Sequence, residues 1–211
     1  MRVIAGTYRS RPLTAPGGRA TRPTSDQLRE TLFNVLAGQV EGTSFADLFA
    51  GSGAVGIEAL SRGARYVCFA EDARGAIAAV RSNLASLKIE NGFSIETRGA
   101  AAALRPEAGS AAGHPWDLVF LDPPYQDGAA RDQVLTVLGR QAKSLLAPGA
   151  LVVAEHQSFT GRPAAGSGRP TGDAGNPPME APAERYGALI RYRVLRQGDA
   201  ALSFYRLEER E

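Results

Sequence analysis

Cysteine is almost absent from this chain: Cys68 is the only one in 211 residues. A single thiol excludes an internal disulfide framework and a cysteine-built zinc site. The two histidines, His114 and His156, are isolated from each other, and neither is assigned a catalytic or metal role. Metal: none is the expectation. No run of about 18 apolar residues occurs, which excludes a transmembrane helix. Met1-Arg2-Val3-Ile4-Ala5-Gly6 lacks the long apolar core of a signal peptide. A soluble, cytoplasmic protein without a membrane partner is expected, with one globular domain and a single sizeable core.

Acidic residues are missing from one end. Residues 1–24 hold Arg2, Arg9, Arg11, Arg19 and Arg22 and no Asp or Glu, a charge of +5. The whole chain, with 24 basic and 22 acidic residues, carries only +2, so the other 187 residues sum to −3. The average alone argues against a large basic footprint. The cluster argues for a basic N-terminal arm over 1–24, with the catalytic domain over 25–211. A second depletion lies at 160–185, which has five Gly and five Pro but no Val, Ile, Leu, Phe, Tyr or Trp. Such a stretch cannot build a core and reads as a flexible loop.

The arm contains two strand-like pieces, Arg2-Val3-Ile4-Ala5 and Arg11-Pro12-Leu13-Thr14, and a turn at Pro16-Gly17-Gly18. Thr24-Ser25-Asp26 offers an N-cap for a helix over 25–37. Arg29 and Glu30 are adjacent on it and therefore do not face each other. From Phe45 the pattern alternates. Strands are expected at 45–49, 66–70, 93–97, 117–121 and 150–155. Helices are expected at 55–62, 73–87, 100–104 and 129–146. Short, nearly continuous apolar strands between helices mean a parallel sheet covered on both faces. Residues 188–195 and 201–207 around Gly198-Asp199 read as a terminal antiparallel hairpin.

Gly51-Ser52-Gly53-Ala54-Val55-Gly56 fits G-x-G-x-x-G between a strand and a helix. Glycines permit a tight turn and close approach of backbone to ligand, and the helix N-terminus supplies amide donors. Glu71, with Asp72 beside it, follows the next strand, where a carboxylate can accept from ribose hydroxyls. A dinucleotide and S-adenosylmethionine both suit this arrangement. Asp47 tilts the choice, because an acid just before the loop can bind an ammonium and would face a pyrophosphate unfavourably. Asp122-Pro123-Pro124-Tyr125 ends the fourth strand, where open α/β sheets place their ligands. The prolines stiffen the turn and supply carbonyls without competing N–H donors. Asp122 and the Pro123 carbonyl can accept from an exocyclic amine, and the Tyr125 ring can stack on a flipped base. Two acceptors localise an aryl amine's lone pair and stabilise charge as a methyl group arrives.

Asp47-Leu48-Phe49-Ala50-Gly51-Ser52-Gly53 together with Asp122-Pro123-Pro124-Tyr125 resembles a class I S-adenosylmethionine-dependent amino methyltransferase. Arg22-Pro23-Thr24-Ser25-Asp26, Arg29-Glu30-Thr31-Leu32-Phe33-Asn34 and Gly198-Asp199-Ala200-Ala201-Leu202-Ser203-Phe204-Tyr205 narrow the resemblance to the bacterial 16S ribosomal RNA guanine-N2 methyltransferase family. It runs from Arg2 to about Arg206, apart from 160–185. The resemblance implies a Rossmann-like, mostly parallel seven-stranded sheet with a C-terminal hairpin. It implies methyl transfer to N2 of one guanine, position 966 in the family, of 16S rRNA or an assembling 30S subunit; a monomer is the expectation, though the sequence itself is silent on oligomeric state. The cofactor would lie against Asp47, Phe49, Ala50, Gly51, Ser52, Gly53, Gly56, Glu71, Asp72, Gly99 and Ala100. Many relatives carry Asn or Asp where Gly99-Ala100 stands, so the adenine contact here falls to backbone. Tyr8, Arg9, Arg11, Arg22 and Thr24 are the candidate RNA contacts, and Arg22, Thr24 and Asn34 are placed to reach the cofactor or the target base. Trp116 and Cys68 read as packing residues. Three rivals stay in view: a DNA adenine-N6 methyltransferase, an NAD-dependent oxidoreductase, and an RNA-binding module without catalysis.

Overall fold

A computed structural model describes residues 1–16, 26–105, 115–124, 128–158 and 181–208. Arg19, Arg22, Thr24, Gly17, Gly18, His114, Tyr125 and most of the Gly/Pro-rich stretch lie outside the described residues. The chain order is α1 (Asp26–Val35), β1 (Ser44–Leu48), α2 (Ala54–Ser61), β2 (Tyr66–Ala70), α3 (Arg74–Ser86), β3 (Phe93–Glu96), α4 (Ala100–Ala103), β4 (Trp116–Leu121), α5 (Gly128–Arg140), α6 (Ala142–Leu145), β5 (Leu146–Gln157), β6 (Arg185–Tyr186), β7 (Leu189–Gln197) and β8 (Ala200–Leu207).

One sheet runs in the order β3-β2-β1-β4-β5-β8-β7-β6. The first five strands are parallel, and the last three are antiparallel. Every residue of β1 is buried, as expected of a central parallel strand covered on both faces. One apolar cluster, on the face of α1–α3, joins Val3, Leu13, Phe33, Phe45, Val80, Val153 and Phe204. The opposite cluster, under α4–α6, joins Trp116, Leu135, Leu138, Leu189 and Tyr205. Cys68 and Trp116 are buried there, as their sequence setting implied.

Three expectations are corrected. The sheet has eight strands rather than seven. The eighth, β6, has two residues, Arg185 at the end of the Gly/Pro-rich stretch and Tyr186 just past it, placed by pairing with β7 and by the Tyr186 hydroxyl, which donates to Asp132 at 2.6 Å. The helix expected over 129–146 breaks at Gln141 into α5 and α6, and Leu146 is already strand, opposite Trp116. Among its described residues the β arm has one bridge, Arg2 with Pro12, rather than two strands.

The described part of that arm is knitted into the domain. Buried Glu58 of α2 accepts from the Ile4 N–H at 2.7 Å and the Ala5 N–H at 3.0 Å. The Thr7 N–H donates to the Ser61 carbonyl, and the Tyr8 N–H to the Ser61 hydroxyl. Gly6 has φ +79° and lies so near Ser61 that a Cβ would overlap its carbonyl. Arg29 of α1, fully buried, donates to the Arg2 carbonyl and to Asp26 at 3.0 Å, with Glu58 at 3.8 Å. Burial pulls its guanidinium below the ordinary range, against the pull of Asp26 and Glu58.

Candidate active site

β1, β2 and β4 are parallel neighbours, so the loops at their carboxyl ends lie side by side and form the candidate site. After β1 the chain turns through Phe49 (φ +65°), Gly51 (φ +57°) and Gly53 (φ +76°), and Gly53 opens α2. The Ala50 N–H donates to the Ala70 carbonyl at 3.0 Å, and the Gly53 N–H to Ala50 at 2.7 Å. Ser52 and Ala50 are nearly buried in this turn. Gly56 serves packing. A Cβ there would overlap the Phe69 ring and come within 2.8 Å of Val67, so its hydrogen lets α2 rest on β2.

Carboxylates organise the loop. Glu71, just past β2, accepts from the Gly51 N–H at 2.8 Å and from the Asp72 and Ala73 N–H groups at 3.0 and 2.9 Å. It therefore ties the glycine turn to the start of α3, where an anion is favoured. Asp47 is buried and accepts from the Gly56 N–H at 2.8 Å. Burial pushes its carboxyl up to about 8, opposed by the Gly56 bond and reinforced by the charges of Asp122 and Glu71. Three acids thus share one field around the turn. Asp72 lies against Gly99, whose φ of +83° and ψ of −176° suit glycine, and the backbone enters α4 at Ala100.

Past β4, the Asp122 N–H donates to the Leu48 carbonyl at 3.3 Å, holding the Asp122-Pro123-Pro124 turn beside the glycine loop. Pro123 is buried and Pro124 exposed. Of the RNA candidates, Arg9 and Arg11 are exposed. The half-buried Tyr8 ring packs against the core, and Asn34 stands exposed on α1. His156 is buried with its Nδ1 donating to the Gln157 carbonyl and its Nε2 accepting from Ser203, and burial pulls it down to about 4.

The family described as conserved hypothetical protein 95 matches residues 1–167. The ribosomal RNA small subunit methyltransferase D of Escherichia coli K12 is 34% identical over 163 residues, covering 77% of this chain and 78% of its own. The chain belongs to the methyltransferase D family. YlbH of Bacillus subtilis 168, 38% identical over 156 residues, covers 74% of this chain and 82% of its own. Among solved structures, yhhF of E. coli superposes with a TM-score of 0.73 at 29% identity, covering 99% of this chain and 98% of its own.

In this methyltransferase D family chain, two site-supporting residues escaped the sequence reading. Asn83 of α3 is 1% exposed and holds two segments together. Its Nδ2 donates to the Ser52 carbonyl of the glycine loop and to the Thr14 carbonyl of the arm, both at 2.9 Å. Its Oδ1 accepts from the Thr14 N–H at 2.8 Å. Glu58 anchors the arm from the next helix. Both carried a signal: a polar side chain inside an apolar stripe, which must find buried partners.

Proposed function

We propose that the chain transfers a methyl group from S-adenosylmethionine to N2 of guanine 966 in 16S rRNA during small-subunit maturation. The observation that carries this reading is the grouping of Asp47, Glu71 and Asp122 around one glycine turn, with Glu71 accepting from the Gly51 N–H, Asp47 from the Gly56 N–H, and the Asp122 N–H tied to the Leu48 carbonyl. A sulfonium-bearing amino acid is cationic and gains from the carboxylates of Glu71 and Asp122, and its charge would favour the ionised form of Asp47; the pyrophosphate of a dinucleotide is repelled by them. The names of the curated relatives support rRNA over DNA as substrate.

The cofactor, when bound, supplies an electrophilic methyl group. The Gly51–Gly53 turn leaves room for close backbone approach, Glu71 and Asp72 suit ribose hydroxyls, and Gly99-Ala100 offers backbone to the adenine. Asp122 and the Pro123 carbonyl accept from the guanine amine and hold its lone pair toward the methyl carbon. Tyr125 stacks on the flipped base. The N–CH3 bond forms as the S–CH3 bond breaks, and the amine proton leaves to solvent.

The test is transfer of radiolabel from S-adenosylmethionine to small subunits of a strain lacking the enzyme, with mass spectrometry of digested rRNA locating the methyl group. Asp122→Ala is expected to lower the rate about hundredfold, while a thermal shift with S-adenosylhomocysteine persists. No transfer by the wild type, or undiminished transfer by Asp122→Ala, overturns the mechanism. A thermal shift with NAD and none with S-adenosylhomocysteine overturns the cofactor assignment.

A further inference from the structure

The terminal hairpin carries a second basic surface. Residues 189–207 hold Arg191, Arg193, Arg196 and Arg206 against Asp199 alone, a charge of +3 that the chain average hides. Arg191 is engaged, donating to the Pro182 carbonyl at 2.7 Å and lying 3.3 Å from Glu184. No carboxylate among the described residues pairs with Arg193, Arg196 or Arg206. Two of these cations lie over aromatic rings instead. Arg193 is 5.9 Å from the centre of Phe204, and Arg206 is 5.6 Å from that of Tyr192.

Tyr192 is the exposed large apolar side chain among the described residues, at 42%. A register shift places it there. Arg191 pairs with Tyr205 and Arg193 with Phe204, so Tyr192 is the extra residue of a bulge. Bulges re-aim side chains, and this one leaves the Tyr192 ring tilted against Phe204 at 6.3 Å. Phe204 belongs to the cluster that also takes Val3 and Leu13 of the arm, so this patch and the arm share one face of the sheet. The patch is also level with the candidate site. Arg193 stands opposite Phe204, Phe204 opposite Val153, and Val153 opposite Phe120, two residues before Asp122. Three strand steps separate β7 from β4, about 14 Å.

Unpaired guanidinium groups beside an exposed ring match single-stranded nucleic acid, with phosphates for the cations and a base for the ring. We propose that Tyr192, Arg193 and Arg206 bind an unpaired segment of the substrate RNA next to the target guanine. This rests on the rRNA reading above. Arg196, paired with Ala201 beside His156, faces the other side of the sheet.

The test measures two things separately. Anisotropy titrations with protein-free small-subunit RNA and a single-stranded oligonucleotide compare the wild type with Tyr192→Ala and with the double variant Arg193→Ala, Arg206→Ala. Methyl transfer to small subunits is followed in parallel, and an S-adenosylhomocysteine thermal shift confirms that each variant is folded. Tyr192→Ala is expected to weaken binding about tenfold, the loss of one stacked base. The double variant is expected to lower the slope of log K against log salt by about 1.4, two single-strand phosphates. Arg193→Lys should keep the salt slope while losing affinity. Unchanged RNA binding in the variants overturns the surface, whether or not the wild type transfers methyl groups. Unchanged binding of protein-free RNA with a raised KM on assembled subunits also overturns it, in favour of a protein contact. Weakened RNA binding in variants of a wild type that transfers no methyl group to rRNA supports the surface and overturns the rRNA methylation reading.

Discussion

Gly51 and Gly56 belong to one motif but answer to different constraints. Gly51 has φ +57° with open space where a side chain would stand, whereas the Gly56 hydrogen faces Phe69 and Val67. Gly51→Asn should therefore cost at most about 1 kcal/mol, since Asn tolerates the left-handed region. Gly56→Ala should cost about 1–3 kcal/mol by overpacking. Urea denaturation of the two variants checks the contrast. Asp47 adds a pH signature. Its carboxyl titrates near 8 when folded and near its ordinary 3.8 when unfolded. The folded state thus retains a proton that the unfolded state has released, and stability falls as pH rises through that window. Asp47→Asn keeps an acceptor for Gly56 and removes the proton. Thermal melts of wild type and variant between pH 5 and 8 should diverge, with the variant gaining as pH rises. His156 contributes the opposite slope below pH 6.5, because its folded form sheds the proton first.

Among the elements, the arm and α2 are the most tightly interdependent. Glu58 gathers two arm amides and Arg62, the latter at 2.7 Å, and faces buried Arg29. Glu58→Ala strands the two arm amides and leaves the Arg29 guanidinium with the half-exposed Asp26 alone, and should cost about 2–4 kcal/mol. Urea denaturation measures the loss, and faster amide exchange at Ile4 and Ala5 would place it at the arm. The five parallel strands were legible in sequence because burial on both faces leaves continuous apolar runs such as Val67-Cys68-Phe69-Ala70. The break at Gln141 was not, since Gln is a sound helix former and tertiary pairing of Leu146 with Trp116 decides the end. Nor was β6, whose two residues have no pattern of their own. In the site, the glycine turn, Glu71 and Asp122 could be read from spacing after strands. Asn83 could not, because its partners are 69 residues away at Thr14 and 31 away at Ser52.

At the scale of the molecule, charge is segregated. The arm holds +5 and the hairpin +3 of a total of +2, so the remainder sums to −6. The arm's described cations and the hairpin patch flank one face, and the acids cluster around the loops that follow β1, β2 and β4. RNA affinity should consequently be steep in salt. Replacing Arg2, Arg9 and Arg11 with Ala should flatten the slope of log K against log salt by about 2–3, one phosphate per residue. A filter-binding series between 50 and roughly 200 mM salt reads this. The long sequence separations of the arm have a further consequence, for biogenesis. Thr14 is made early but is held by Asn83, 69 residues later. At about 5–20 residues per second, roughly 3–14 s of synthesis separate the two. During that interval Val3 and Leu13 lack the α3 side of their core, and a segment made before its partners settles only after them.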